Sequence, residues 1–446
     1  MRVLTKQSVL GSFALAALGV AACQTHAAGP PPAEPPTLTD EAPRAEPAPA
    51  PAATEIVAEV ELANPSEFAR EKTPVYLSYY ELGLAADDAR ATSLAVKAGE
   101  TALASQANDS DGDGRKDGVL SLLDFAQGET KKITVVSGAA MLPDETKLTQ
   151  AEISHKVGGQ WRPRKDKPEL KEYVGGTFQN VKELTAPPEH TDHSNFIRYE
   201  GPGIESDKVG YRIYLDWRNG FDIFGKKTSL PVLQRVGQDG FESYHHMADW
   251  GMDILKVGES LGAGGFGFWD GKKVVLVSKV DGWTASIIEN GNLYSSFRIA
   301  YKGWQVNEKK VDLTADFSMV GGSRAVHVTL RQSEELPNLA IGLVKHPGTE
   351  LLQGPSELTG TAFTYVGSFG KQSLNDDLLG MAVLFPSGSR TPSLPARRST
   401  TATTAGTRTA SESPSSNTTS SACNPLLTTS STRSLRIPGT PRCWRR

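Results

Sequence analysis

The chain has 446 residues, enough for two or three domains with a large core. Its 47 Lys and Arg against 51 Asp and Glu leave a net charge of −4, which excludes a general electrostatic attraction to nucleic acid or anionic lipid. The three cysteines, Cys23, Cys423 and Cys443, lie near the ends, so residues 24–422 can hold neither a disulfide framework nor a thiolate-ligated metal.

Residues 1–23 read as an export leader. Arg2 and Lys6 supply the positive region, Val9 to Val20 the apolar stretch, and Val20-Ala21-Ala22-Cys23 the end. The apolar run is too short for a stable membrane span. The ending resembles a bacterial lipobox, which implies lipidation of Cys23 and anchoring in the outer membrane, on its periplasmic or outer side; Gln24 follows instead of the aspartate of an inner-membrane retention signal. Residues 24–54 form a Pro/Ala-rich linker with nine prolines between Pro30 and Pro51, a composition that favours extended polyproline geometry.

Residues 55–140 are expected to form a small β-sandwich. Ile56, Ala58, Val60 and Leu62 alternate with polar neighbours, and Val75–Tyr80, Val119–Phe125 and Ile133–Val136 are further strands. Inside it, Asp109, Asp111, Asp113 and Asp117 match positions one, three, five and nine of a calcium loop, with Gly114 at the turn. Position twelve is Leu120 instead of a bidentate acid, so the segment is either a calcium site or a polar hairpin turn.

Residues 141–386 are expected to form the main domain, a large antiparallel, supersandwich-like β-sandwich. Its first part, 141–195, is polar and irregular, and His190, Asp192 and His193 have metal-ligand chemistry at loop spacing. Farther on, Phe297/Ile299/Tyr301, Val311 to Met319 and Val326/Val328/Leu330 alternate as half-buried antiparallel strands, with Lys273–Val277 apolar before them. His327 lies opposite the valines, as a sheet-surface residue. Gly262-Ala-Gly264-Gly265-Phe-Gly267 matches a dinucleotide fingerprint by letters only, because a strand and not a helix follows it.

The candidate functional stretch is Phe196–Trp269, where charged, aromatic and glycine residues interleave most densely. Val209, Tyr211, Ile213, Leu215 and Trp217 form one strand face, and Arg212, Tyr214 and Asp216 the other, which is expected to face solvent or a cleft. The bland alternative is a set of surface ion pairs. Tyr244-His245-His246 supplies acid–base groups: a histidine titrates near neutrality, and a tyrosine can donate a proton or, beside a cation, act as a base. Tyr244 and His246 would share one strand face and His245 the other. The bland alternative is that this histidine pair caps a loop or hydrogen-bonds an inner carboxylate such as Asp249.

The runs YEGPGIESDKVGYRIYLDWRNGFDIFGKK and SYHHMADWGMDILKVGESLGAG resemble the DUF4861 family of secreted bacterial proteins, over about residues 55–385. That resemblance implies a place in polysaccharide utilisation, with uronate-containing oligosaccharides as partners, and a dehydratase acting on unsaturated uronyl ends left by lyases. It favours His245 for catalysis; the chemistry of the residues adds Tyr244 as its acid–base companion and Arg212, Arg218, Lys226, His193 and Trp217 as groups suited to bind such a substrate. Trp250 and Trp269 are further stacking candidates. The alternative is a non-catalytic glycan-binding lipoprotein, and a structural secreted protein is a third reading.

From residue 387 to 446 the pattern stops. The tail has nine arginines, no lysine and Glu412 as its only acid, which is expected either of a disordered tail or of a frameshift near Phe385.

Overall fold

The computed structural model describes residues 54–386 apart from 86, 139–146, 337 and 356–362, together with the backbone of Ser434–Arg436. The leader, the linker and the expectations for the tail lie outside the described residues. The fold is mainly β, built from several antiparallel sheets, and the helical turns among the described residues are short 3-10 segments. None of the described helices is long and apolar enough to cross a membrane.

In the N-terminal sandwich, Glu55–Ala63 pairs with Thr130–Ser137, which continues through Ala95–Ala98 to Thr101–Leu103. Facing it, Gly118–Phe125 lies between Arg70–Ser78 and Ser105–Asn108. Leu62, Val75, Leu77, Val119, Leu123, Ile133 and Val135 form the core between them. Ile56, expected on the buried face, is 62% exposed because a β-bulge between Ile56 and Ala58 breaks the alternation.

The main sandwich opposes a six-stranded and a five-stranded sheet. In the first, the order is Gly251–Asp253, Phe221–Lys226, Val209–Ile213, Gly203–Ser206, Thr149–Pro163 and Lys171–Val181. In the second it is Glu183–Thr185, Gly282–Asn290, Tyr294–Val306, Lys309–Val320 and His327–Gln332. Ile153, Ile204, Val209, Tyr211, Ile213, Phe221 and Ile223 pack against Phe297, Ile299, Tyr301, Leu313 and Phe317. Phe297 and Phe317 are cross-strand partners with stacked rings 4.6 Å apart. His327 is exposed on the outermost strand. Ala263–Trp269, flanked by Val274–Leu276 and Leu339–Leu343, closes one side of the core with Phe266 and Phe268. The glycine-rich run is therefore a strand, and a Cβ on Gly262 would stand 1.9 Å from the Phe221 carbonyl oxygen. Only glycine permits that approach.

The region expected to be irregular contains the long hairpin of Thr149–Pro163 with Lys171–Val181. Tyr76, Leu120, Leu293, Tyr294 and Val320 join the two sandwiches. Gln106 and Lys116 add polar contacts to Glu289 at 3.0 and 2.7 Å.

The feature that matters most for function is the other face of the six-stranded sheet. Alternation sends Gln150, Glu152, Glu205, Arg212, Asp222, Phe224 and Asp253 away from the main core. That face was expected to meet solvent or a cleft. Instead, the segment after Lys226 folds back over it. Val232, Leu233, Val236, Tyr244 and Trp250 pack on Tyr199 and Phe224, each buried apolar side chain contributing roughly 1.5–3 kcal/mol. The polar row is thereby sealed into a second, charged interior layer.

Candidate functional site

Arg212 organises the buried layer. Its Nη2 donates to Asp222 Oδ2, Asp253 Oδ2 and Tyr214 Oη at 2.7, 2.7 and 2.8 Å. Nε reaches Asp222 at 3.0 Å, and Nη1 donates to Tyr244 Oη at 2.9 Å and to the Tyr199 carbonyl at 3.2 Å. Arg212 and both carboxylates are 1% exposed. Two carboxylates this close in a dry site do not both ionise. Burial first, and then the neighbouring Asp222, push the Asp253 carboxyl well above its usual range, which favours its protonated form.

A strained turn borders this cluster. Of the eight described non-glycine residues at positive φ, four lie between His193 and Glu200: His193, Asn195, Tyr199 and Glu200. Each such position costs of order 1–3 kcal/mol and persists only where its surroundings enforce it. Gly201 shows how tight they are, since a Cβ there would lie 1.8 Å from the Ile213 carbonyl oxygen. The strained backbone aims Glu200 at three donors: the His193 amide at 2.7 Å, Arg218 Nη2 at 2.9 Å and, more distantly, Arg212 Nη1 at 3.8 Å. Burial opposes its charge, but the Arg218 and Arg212 guanidiniums prevail and hold the Glu200 carboxyl down at about 2.

Two histidines reach this region in opposite electrostatic settings. His193 Nδ1 meets Asp192 Oδ2 at 2.9 Å, and that carboxylate raises the imidazole above 6.5. His245 lies on a 3-10 turn, Ser243–His245, with its ring 4.7 Å from the Tyr244 ring and Nε2 3.5 Å from Asp253 Oδ2. Burial, and then the Arg212 charge, lower it below 6.5. His193 is thus biased toward its charged form and His245 toward its neutral form. Both partners of the His245–Asp253 contact are therefore shifted toward their uncharged forms. Burial also raises the Tyr244 phenol well above its usual range, which removes the expected role as a base and leaves a proton donor that already accepts from Arg212.

His193, Glu200, Tyr199 and Tyr244 line one narrow recess, with a cavity volume of about 10 Å³, room for roughly one water molecule. Phe178, Asn195 and Gly240 also line it and continue into a wider groove of about 370 Å³ beside the long hairpin.

The expected residues thus separate. Tyr244 and His193 share the recess, and His245 stands against Tyr244. Arg212, Arg218 and Lys226 are not displayed: Arg218 is held by Asp216 and Glu200, and Lys226 by Glu205 at 2.5 Å. Burial puts each cation beside a carboxylate, because an unpaired buried charge would be prohibitively costly. Trp217 is half-buried and donates from Nε1 to Asp192 Oδ1 at 2.8 Å, which fixes the carboxylate that His193 uses. Trp250 belongs to the cover and Trp269 is half-buried at a strand end. Asp249 is a surface partner of Arg235 at 2.6 Å and not the inner carboxylate beside His245; that is Asp253. His246 is exposed.

Sequence reasoning missed Asp253 and the buried pair Arg198–Glu152, which Tyr199 also joins through its hydroxyl. The signal was present in Gln150-Ala-Glu152-Ile and Met252-Asp-Ile254, where acids alternate with apolar residues inside strands.

Among the described residues, the acidic groups that converge closely enough for a cation are Asp109, Asp111 and Asp117, with one oxygen from each within 4.8 Å of the others; Asp113 is not among them. Asp109 accepts the amides of Gly112, Asp113 and Gly114, and Asp117 accepts the Ser110 amide and the Tyr76 hydroxyl. These oxygens could serve a hard cation such as calcium, while already closing the loop as a turn. The His190, Asp192 and His193 trio does not converge in the same way. His190 is buried, with Nδ1 at 2.7 Å from Ser194 Oγ.

Residues 62–420 match the family model described as a domain of unknown function (DUF4861), a match that runs past the change in composition at Ser387. No curated protein and no solved structure matches the chain.

Proposed function

We propose that this chain, which belongs to the DUF4861 family, is an acid–base enzyme that eliminates water from the unsaturated uronyl end of an oligosaccharide. The observation that carries this reading is a pair of oppositely tuned histidines at Tyr244, His193 sharing its recess and His245 packed against its ring. Environments that push two titratable groups apart assign the acid and the base. His245, neutral, removes a carbon-bound proton from the sugar ring. Its electron pair forms the new double bond as the neighbouring hydroxyl leaves. Tyr244 or the His193 imidazolium delivers the proton that turns that hydroxyl into water. Arg212 holds the Tyr244 oxygen in place and stabilises charge that develops on it.

The same reading places the protein outside the inner membrane, tethered through a lipidated Cys23 and held off the surface by the proline-rich linker. Retention of radiolabelled palmitate by the wild-type chain, and its loss in Cys23→Ala, tests the anchor.

The ultraviolet absorbance of unsaturated uronyl oligosaccharides tests the reaction. The full chain should change that absorbance in a saturable way, and His245→Ala should abolish the change. Saturable binding with constant absorbance would instead identify a glycan-binding protein, and neither signal would indicate a structural role.

A further inference from the structure

The groove beside the recess contains a cation that the rest of the site does not use. Lys156 and Phe178 are directly opposed across the hairpin, and Lys156 Nζ stands 5.1 Å from the Phe178 ring centroid. Arg212, Arg218 and Lys226 are neutralised by carboxylates at 2.9 Å or less. Among the described residues, no carboxylate oxygen comes within 4.0 Å of Lys156 Nζ. Asp239, an acid that also lines the groove, accepts from the Ser243 hydroxyl. Glu172, farther along the hairpin, acts on Lys156 only through space. Lys156 is half-buried, so its charge is more poorly hydrated than that of a surface lysine.

We propose that Lys156 and Phe178 form the anion subsite of the groove: the ammonium takes the uronate carboxylate, and the Phe178 ring lies against the apolar face of the sugar. This inference rests on the reading of the substrate as a uronyl oligosaccharide. It supplies the cation that such a substrate requires and that the three buried cations cannot offer. The geometry supports it in two further ways. The groove, at about 370 Å³, falls in the range of roughly 300–1,000 Å³ typical of ligand pockets. Phe178 and Asn195 line both spaces, so a sugar anchored at Lys156 presents its next atoms to the recess where His193 and Tyr244 stand. Thr177 and Asn195 add a hydroxyl and an amide to the groove lining for ring hydroxyls.

Calorimetric binding of a saturated uronyl disaccharide, which cannot undergo the proposed elimination, tests the subsite without relying on turnover. The carboxyl-reduced disaccharide is the control. Wild-type protein should bind the uronate. Lys156→Gln should weaken binding about 10- to 100-fold, the effect of one charge-assisted hydrogen bond. Lys156→Arg should restore most of it, and the reduced sugar should bind wild type and Lys156→Gln equally. Lys156 is on the hairpin surface, so thermal unfolding of all variants should coincide. Equal uronate affinity in wild type and Lys156→Gln overturns the subsite, as does no binding by wild type. Lys156-dependent binding without any absorbance change on unsaturated substrates leaves the subsite standing and removes the dehydration reading.

Discussion

His245 Nε2 stands 3.5 Å from Asp253 Oδ2, and the surroundings shift both groups toward their uncharged forms. The relationship follows from the crowding beneath them: Arg212 sits between two carboxylates, one of which is pushed toward its protonated form, and its charge also disfavours protonation of the imidazole above. A free neutral imidazole beside a buried cluster is what a base near neutrality requires.

The rate should therefore depend on pH as a bell. Protonation of His245 removes the base, so activity falls on the acidic side at a pKa below 6.5. Deprotonation of His193 removes the imidazolium that shares proton delivery with Tyr244, so activity falls on the alkaline side above 6.5. His193→Gln should lower the maximum and lose the alkaline limb while keeping the acidic one. A profile unchanged by His193→Gln would contradict this assignment.

The protonation state of Asp253 predicts an unequal pair of substitutions. Asp222→Asn removes the charge that offsets buried Arg212 and should cost about 3–5 kcal/mol in urea unfolding. Asp253→Asn replaces an acid shifted toward its neutral form and should cost less, about 1 kcal/mol, near the value of one hydrogen bond. The reverse order would mean that the proton resides on Asp222.

Tyr244→Phe removes the hydroxyl that accepts from Arg212 and leaves that donor buried without a partner. Stability should drop by about 1–3 kcal/mol. The rate constant should fall by roughly 10²–10⁴-fold, with KM changed far less, if the phenol delivers the proton. A fall in stability with an unchanged rate constant would confine Tyr244 to a structural role.

His193 also links stability to pH. Its folded pKa is raised by Asp192, so it contributes stability that is fully present below the unfolded value near 6.5 and is lost as pH rises through the higher folded value. His193→Gln should flatten that part of the stability curve, measured by urea midpoints on both sides of neutrality. A curve that keeps its slope would place the linkage elsewhere.

Much of the β architecture was legible because it is two-faced. Phe297, Ile299 and Tyr301, like Val311 to Met319, alternate cleanly since one face meets the core and the other is polar. Ile56 failed because a bulge shifts the register by one residue, which no composition signals. The functional stretch was legible as a location, but its charges were misread as displayed. Arg212 and Asp222 look like a surface pair in the sequence, and only the return of Val232, Leu233 and Val236 over them makes them interior. The upward shift of Asp253 was not legible at all, because it depends on burial and on Asp222, which lies on the adjacent strand 31 positions earlier in the chain. Asp192, Ser194 and Asn195 signalled a turn, but the positive φ of Tyr199 and Glu200 was hidden, since neither residue favours that region.

The most direct test is a proton-detected NMR titration of the two imidazoles in the intact chain, assigned by comparison with His193→Gln and His245→Ala. The account predicts that His245 titrates below 6.5 and His193 above it, with His193 falling toward 6.5 in Asp192→Asn. Coincident titrations, or His245 titrating above His193, would contradict it.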